Sequence, residues 1–551
     1  LIRLQNMKLN RLFISAGLLA MALTSCTDLN MAPNSQYTED PSQNSGIDPM
    51  IVVEAKMADV YYHLKGTLGR RYMEAQSLAS DEFTSVAFNG GYVDGHTYAN
   101  QALHCSSPTD ASIGWYSDVT AGITKANKVL EELGSGASAQ MKAPARAIRA
   151  YYTWILMDSY GDTPILESVP AEGTSVPRSP RKEVAEWIES ELTDIIPYLT
   201  EDVTENTYGK PTKWMAEALL AKLYINWAVY TAESVDQYDA ATAANPKLDA
   251  CIAACDEIIN SGKFNLGTVD YLHKFSYDNG WTVEDFIYAI PYDAVQDIKD
   301  GSSYGLQYAR PRTFKDMKNM LPNVYGSTDK FTQSFGGNMV VTPEFAKLFC
   351  LDGDIRNLSI LRGDVYVRDP KTLRPTTEPF MYKGVQMHFT EDITLAKIDN
   401  DIDVGNDANA YQQGCHSIKW FATPSDYNNS RNQSNDLPIF RYADILMMKA
   451  EALTRQGTGG AKELFNQIRT YAGAPTLTSE PTLKEIYDER GREFFDENWR
   501  RNDMIRFGHY EDEFFPHYKD FPDANFDKRH RIFPIPQSDI DLNGWEQNAG
   551  Y

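Results

Sequence analysis

The chain has 551 residues, 42% hydrophobic and 12% aromatic, and a formal net charge of −24. That length and apolar content can fill one large elongated domain or several packing units. The acidic balance argues against a nucleic-acid binder, which needs a basic face, and more weakly against polyanionic ligands.

In chain order, Lys8 and Arg11 precede an apolar run at 12–23 that is too short to span a bilayer. It ends in Leu23-Thr24-Ser25-Cys26, which resembles a lipobox, with Cys26 the acylated first residue of the mature chain. Residues 1–25 therefore read as a lipoprotein signal peptide and 26–48, with Pro33, Asn34, Pro41 and Gly46, as a lipid-anchored tether. Buried acyl chains, at about 0.8 kcal/mol per methylene, suffice to hold a soluble body on a membrane.

The body, 49–551, begins with helical apolar spacing at 49–65. Trp115–Leu133 reads as a helix closed by Gly134, and 143–160 as one closed by Gly161 with Pro164 beyond. In the latter Ala147, Ala150, Tyr151 and Trp154 share one face, so small residues beside rings allow close helix approach. Helices follow at 183–199, from a Thr212 cap to about Tyr230, and at Leu248–Ser261 before Gly262. These helix–turn–helix pairs of about 34 residues resemble tetratricopeptide repeats.

Residues 264–440 are rich in Gly, Asp, Tyr and Pro, with short β-like runs at Phe286–Ile290 and 365–368. Helical pattern returns at 441–456, Ala461–Ala472 and 483–507. The expected fold is mainly α: a tetratricopeptide-like helical scaffold, 49–262 and 441–510, within a single domain that also carries the large loop-rich region 264–440 with short β elements.

The chain has no HExxH motif or Walker loop, and no carboxylate pair stands out. Apart from Cys26, the cysteines 105, 251, 255, 350 and 415 form neither a disulfide framework nor a zinc pattern. Cys251 and Cys255, at i and i+4, read as small core residues. Asp399-Asn400-Asp401-Ile402-Asp403 hints at calcium, but Val404 and Ala410 stand where an EF-hand needs Gly and Glu, so a solvated acidic loop is the plainer reading. Asp352-Gly353-Asp354 reads as a turn. No catalytic residue, cofactor or metal is expected.

Four further segments stand out in chain order. The first two are Arg146-Ala147-Ile148-Arg149-Ala150-Tyr151-Tyr152 running to Tyr160-Gly161-Asp162-Thr163-Pro164, and Pro438-Ile439-Phe440-Arg441-Tyr442-Ala443-Asp444-Ile445-Leu446 with Ala450-Glu451-Ala452. Glu489-Arg490-Gly491-Arg492-Glu493-Phe494 with Asp503-Met504-Ile505-Arg506-Phe507-Gly508 follows, then Phe533-Pro534-Ile535-Pro536 and Gln547-Asn548-Ala549-Gly550-Tyr551. Together these segments resemble the SusD/RagB family of outer-membrane nutrient-binding lipoproteins, with Ala549 in place of that family's usual Pro. Arg441, Arg492 and Arg506 in apolar helices need partners, so these motifs read as holding the fold. The resemblance implies a non-enzymatic cell-surface protein on the outer membrane. It would capture oligosaccharides in a loop-built site and act as a lid on a TonB-dependent, SusC-like transporter.

A sugar face needs an exposed ring to stack on and polar groups to orient it. Two loop stretches supply both: Phe88, Asn89 and Tyr92 beside Gly90 and Gly91, and Tyr304, Tyr308, Tyr325 and Phe335 among Gly and Ser. These are the glycan-binding candidates, expected to be displayed to solvent. Trp115, Trp154, Trp214 and Trp227 lie on helix faces and read as core. Alternatives are a surface binder of peptides or another nutrient on the same scaffold, a helical-repeat adaptor and a hydrolase.

Overall fold

The computed structural model describes residues 48–89, 97–296, 312–314, 329–393, 396–398, 401–512 and 516–551. Cys26, Tyr92, Tyr304, Tyr308 and Tyr325 lie outside the described residues. The chain divides into two units, Leu1–Ala55 and Lys56–Tyr551. The described part of the first is the start of α1 (Pro49–Leu68), and the fold below is that of the second.

The body is mainly helical. After α2 (Arg71–Leu78) come α3 (Trp115–Leu133), α4 (Ala139–Tyr160), α5 (Arg181–Ile195), α6 (Lys213–Ile225) and α7 (Leu248–Ser261), each packed on the next from α3 onward. Gly134 and Gly161 close α3 and α4 at positive φ, where a residue without Cβ is unstrained. Between α3 and α4 the approach is close: a Cβ on Gly122 would collide with the Tyr152 ring. The Thr212 hydroxyl caps α6 by accepting the Met215 N–H. The helix expected to reach Tyr230 breaks at Asn226, whose side-chain amide bonds back to the Lys222 carbonyl.

The stack then skips the loop-rich stretch. Helix α7 packs against α8 (Tyr442–Gln456), and α8 against α9 (Ala461–Ala472) and α10 (Leu483–Glu493), which meets α11 (Arg500–Phe507). Trp115, Trp154, Trp214 and Trp227 are buried core residues as expected, and so are Cys251 and Cys255. The described sheets are all two-stranded. The two that matter pair β1 (Phe83–Ser85) with β3 (Met339–Val341), and β2 (Phe286–Ile290) with β4 (Leu437–Arg441), both antiparallel.

The sequence reads 483–507 as one helix, but it is two, separated by a loop in which Asp496 and Asn498 take positive φ. Tertiary bonds impose that break. The Asp496 carboxylate accepts from Ser417, its carbonyl accepts from Trp420 Nε1, and its N–H donates to Glu82.

The expected partners of the arginines are present, and they come largely from one another's motifs. Arg441 pairs with Asp285, Glu493 and Glu497, and Arg506 with Glu451 and Asp503. Arg490 bridges Asp444 and Asp503, while Glu489 gathers Arg356, Arg469 and Arg492. Asp285 also accepts the N–H groups of Tyr442 and Ala443 through its backbone and carboxylate oxygens, so a residue before β2 caps α8. Buried charges of both signs thus neutralise one another across the joint between scaffold and loops.

Candidate functional site

The β1 strand leads into the first candidate loop. Val86 N–H donates to the Asn338 carbonyl, and Ala87 bonds in both directions with the 402–404 backbone. Asp403 Oδ1 accepts from the Asn89 N–H at 3.0 Å and from the Gly405 N–H at 2.7 Å. Asp403 is buried, so it is a loop clamp and not part of a solvated acidic loop. Asp354, likewise, caps a turn but also pairs with buried Arg356.

Two of the ring candidates are not displayed. Phe88 is 6% exposed, with its ring 5.0 Å from that of Tyr411. Phe335 is 3% exposed and stacks on Tyr427 at 4.2 Å between centroids. Neighbouring glycines free the backbone but leave a ring's apolar area in water, and each ring has found a partner that covers it.

What Phe88 does is support a ring that the sequence reading missed. Tyr411 is half-buried, and its hydroxyl donates to Asn406 Oδ1 at 2.6 Å. Below it Phe314 lies 6.3 Å away and joins Tyr382, Phe389 and His416 in an aromatic bed. Burial lowers the His416 imidazole to about 4, so this bed is neutral in ordinary conditions. Asn89 is exposed in the left-handed region, φ 54°, which Asn tolerates better than most residues. Asn406 and Asp407 are exposed as well. The result is a supported Tyr411 ring near exposed amides and a carboxylate, able to stack on a flat apolar face and bond the hydroxyls around it.

A second display lies in the loop before β2. Tyr277 and Trp281 are 44% and 49% exposed. They occupy consecutive tight turns, closed by Asn279 N–H to Ser276 O and Val283 N–H to Gly280 O. The Asn279 side chain ties both turns to the Lys274 and Asp436 backbones. The Asp278-Asn279-Gly280 run between two rings is the sequence signal that could have found it.

Among the described residues there is no cluster of three or more groups able to hold a metal ion. No described helix is long and apolar enough to cross a membrane.

The family described as the SusD family matches residues 268–551, and one described as "Starch-binding associating with outer membrane" matches 34–225. The starch-binding protein SusD of Bacteroides thetaiotaomicron is 24% identical, over 98% of this chain and 99% of its own. SusD-like protein P25 of Formosa agariphila is 22% identical over 82% of this chain and 81% of its own. Surface glycan-binding protein A from Bacteroides thetaiotaomicron, solved in complex with laminarihexaose, superposes with a TM-score of 0.66 at 20% identity, covering 90% of this chain and 99% of that one.

Proposed function

The chain belongs to the SusD family, and from that premise we propose that it is a binding protein, without catalysis, that captures oligosaccharides at the outer surface. It is anchored through Cys26 and passes its ligand to a TonB-dependent, SusC-like transporter on which it sits as a lid. The relatives' names, one binding starch and one holding laminarihexaose, support a glycan as the ligand class.

The observation that carries the reading is the Tyr411 ring held over Phe88 and flanked by exposed Asn89 and Asn406. A pyranose offers a C–H face for such a ring and hydroxyls for the amides. Stacking is worth about 1 kcal/mol or more per ring, so loss of the ring weakens binding roughly fivefold or more.

The test is calorimetry of the full chain against α- and β-glucan oligosaccharides. Binding should occur, and Tyr411→Ala should lower affinity while the melting temperature holds. Trp281→Ala reports the second display. If neither variant changes glycan affinity, both ring sites are excluded. If no oligosaccharide binds, the ligand class is wrong.

A further inference from the structure

Beside the first turn of α5 lies a cavity of about 540 Å³, within the ~300–1,000 Å³ range of small-molecule sites. Arg178, Arg181, Lys182 and Arg529 line it, along with Asp162, Glu233 and Asp236. Arg529 is also paired with Asp527, so cations and carboxylates are locally matched within a chain that is strongly acidic overall. Two of the carboxylates are already engaged: Asp162 accepts the Arg181 N–H at 2.8 Å, and Asp236 the Ser234 hydroxyl at 2.6 Å.

Arg181 sets this cavity apart. It is 8% exposed, yet its guanidinium has no acceptor, and its Nε is buried without a hydrogen bond. Every other buried arginine among the described residues donates to a carboxylate or a carbonyl. The Tyr230 ring, 4.8 Å away, steadies the Arg181 plane but cannot satisfy its N–H groups. Buried donors left unmade are costly, and a guanidinium is shaped for a two-oxygen anion.

The helix terminus adds to this. Pro180, at the cap, offers no side-chain acceptor, and Val184 bonds back to its carbonyl. The Lys182 and Glu183 N–H groups stay open at the positive end of a 15-residue helix. The backbone here is held firmly. Thr163 and Ser179 exchange both backbone hydrogen bonds, setting Asp162 beside Pro180. Arg178 is fixed by Asn548 Oδ1 at 2.9 Å.

We infer that this cavity binds an oxyanion, a carboxylate or sulfate group carried on a small polar ligand, with Arg181 as the buried fork and Lys182 and Arg529 at its rim. The same chemistry could come from a free inorganic anion or from the acidic unit of a glycan. This site is independent of the ligand proposed for Tyr411.

The test is calorimetry of the full chain with sodium sulfate and sodium glucuronate at constant ionic strength, with glucose as the neutral control. Both anions should bind saturably and glucose should not. Arg181→Gln should weaken binding by ~tenfold or more. The rim variants Arg529→Gln and Lys182→Gln should weaken it less and melt like the parent, and they carry the test if Arg181→Gln fails to fold. Tighter glucuronate points to an acidic sugar as the source, and tighter sulfate to an inorganic ion. Glycan affinity at Tyr411 should be indifferent to all three variants, which separates the two readings. If neither anion binds, or both bind the variants that fold as they bind the parent, the inference is overturned.

Discussion

The Lys222 ammonium lies 2.6 Å from the Asp444 carboxylate with both side chains shut off from water, joining α6 to α8 across the loop-rich stretch. Arg490 holds the other Asp444 oxygen at 2.8 Å. Scaffold segments far apart in sequence are therefore joined by charge as well as by apolar packing.

Lys222→Met should be strongly destabilising. Removing one partner of a buried pair leaves an uncompensated charge and typically costs ~3–5 kcal/mol. Denaturant unfolding followed by tryptophan fluorescence measures it. A loss below about 1 kcal/mol would show that Arg490 alone neutralises Asp444.

Acid should act through the same network. Burial alone would raise Asp503, but Arg490 and Arg506 override it and bring the carboxyl to about 2. Glu489, also buried, is brought to about 2 by Arg356, Arg492 and Arg469. A carboxylate held below its unfolded value, about 4, contributes stability that is complete above that pH and lost as pH falls toward the folded value. Stability should therefore drop between pH ~4 and ~2, and Asp503→Asn should flatten that fall. An unchanged slope in the variant would assign the acid sensitivity elsewhere.

Phe88→Ala and Trp154→Ala should both unfold more easily, by ~3–5 kcal/mol each through core cavities. Trp154 lies between the Tyr151 and Trp499 rings, and Phe88 under Tyr411. If Phe88→Ala melts like the parent, its ring is dispensable as a support and Tyr411 must be held by Phe314.

Cys26→Ala should abolish labelling by radioactive palmitate and release the protein from the outer-membrane fraction. In the parent, gentle detergent extraction should recover a TonB-class barrel alongside it, through an interface on the order of 2,000 Å² or more. Retained label in the variant rules out lipidation at Cys26, and repeated recovery of the parent alone rules out the lid.

The helices were legible where a local stop signal ends them. Gly134, Gly161 and Gly262 each close a helix at positive φ at the expected place. The break after α10 was not legible, because no Gly or Pro marks it and Ser417, Trp420 and Glu82 impose it from distant parts of the chain. The ring site failed for a similar reason. Phe88 sits beside glycines that suggest display, while the ring that covers it, Tyr411, comes from a distant loop. Solvent exposure belongs to a pair of surfaces, and one stretch of sequence shows only one of them.

The pairing of α7 with α8 has a consequence for the order in which the chain can mature. Helix α7 packs on α6 on one side and on α8 on the other, and α8 is made only after residues 262–441 have been synthesised. Until then the early helices form a stack with an open apolar end, the kind of surface that recruits chaperones or other nascent chains. A product truncated anywhere before Tyr442 keeps that end open permanently. Loops in the middle of the chain can lengthen or shorten without touching it, since they leave and rejoin the stack at two neighbouring helices.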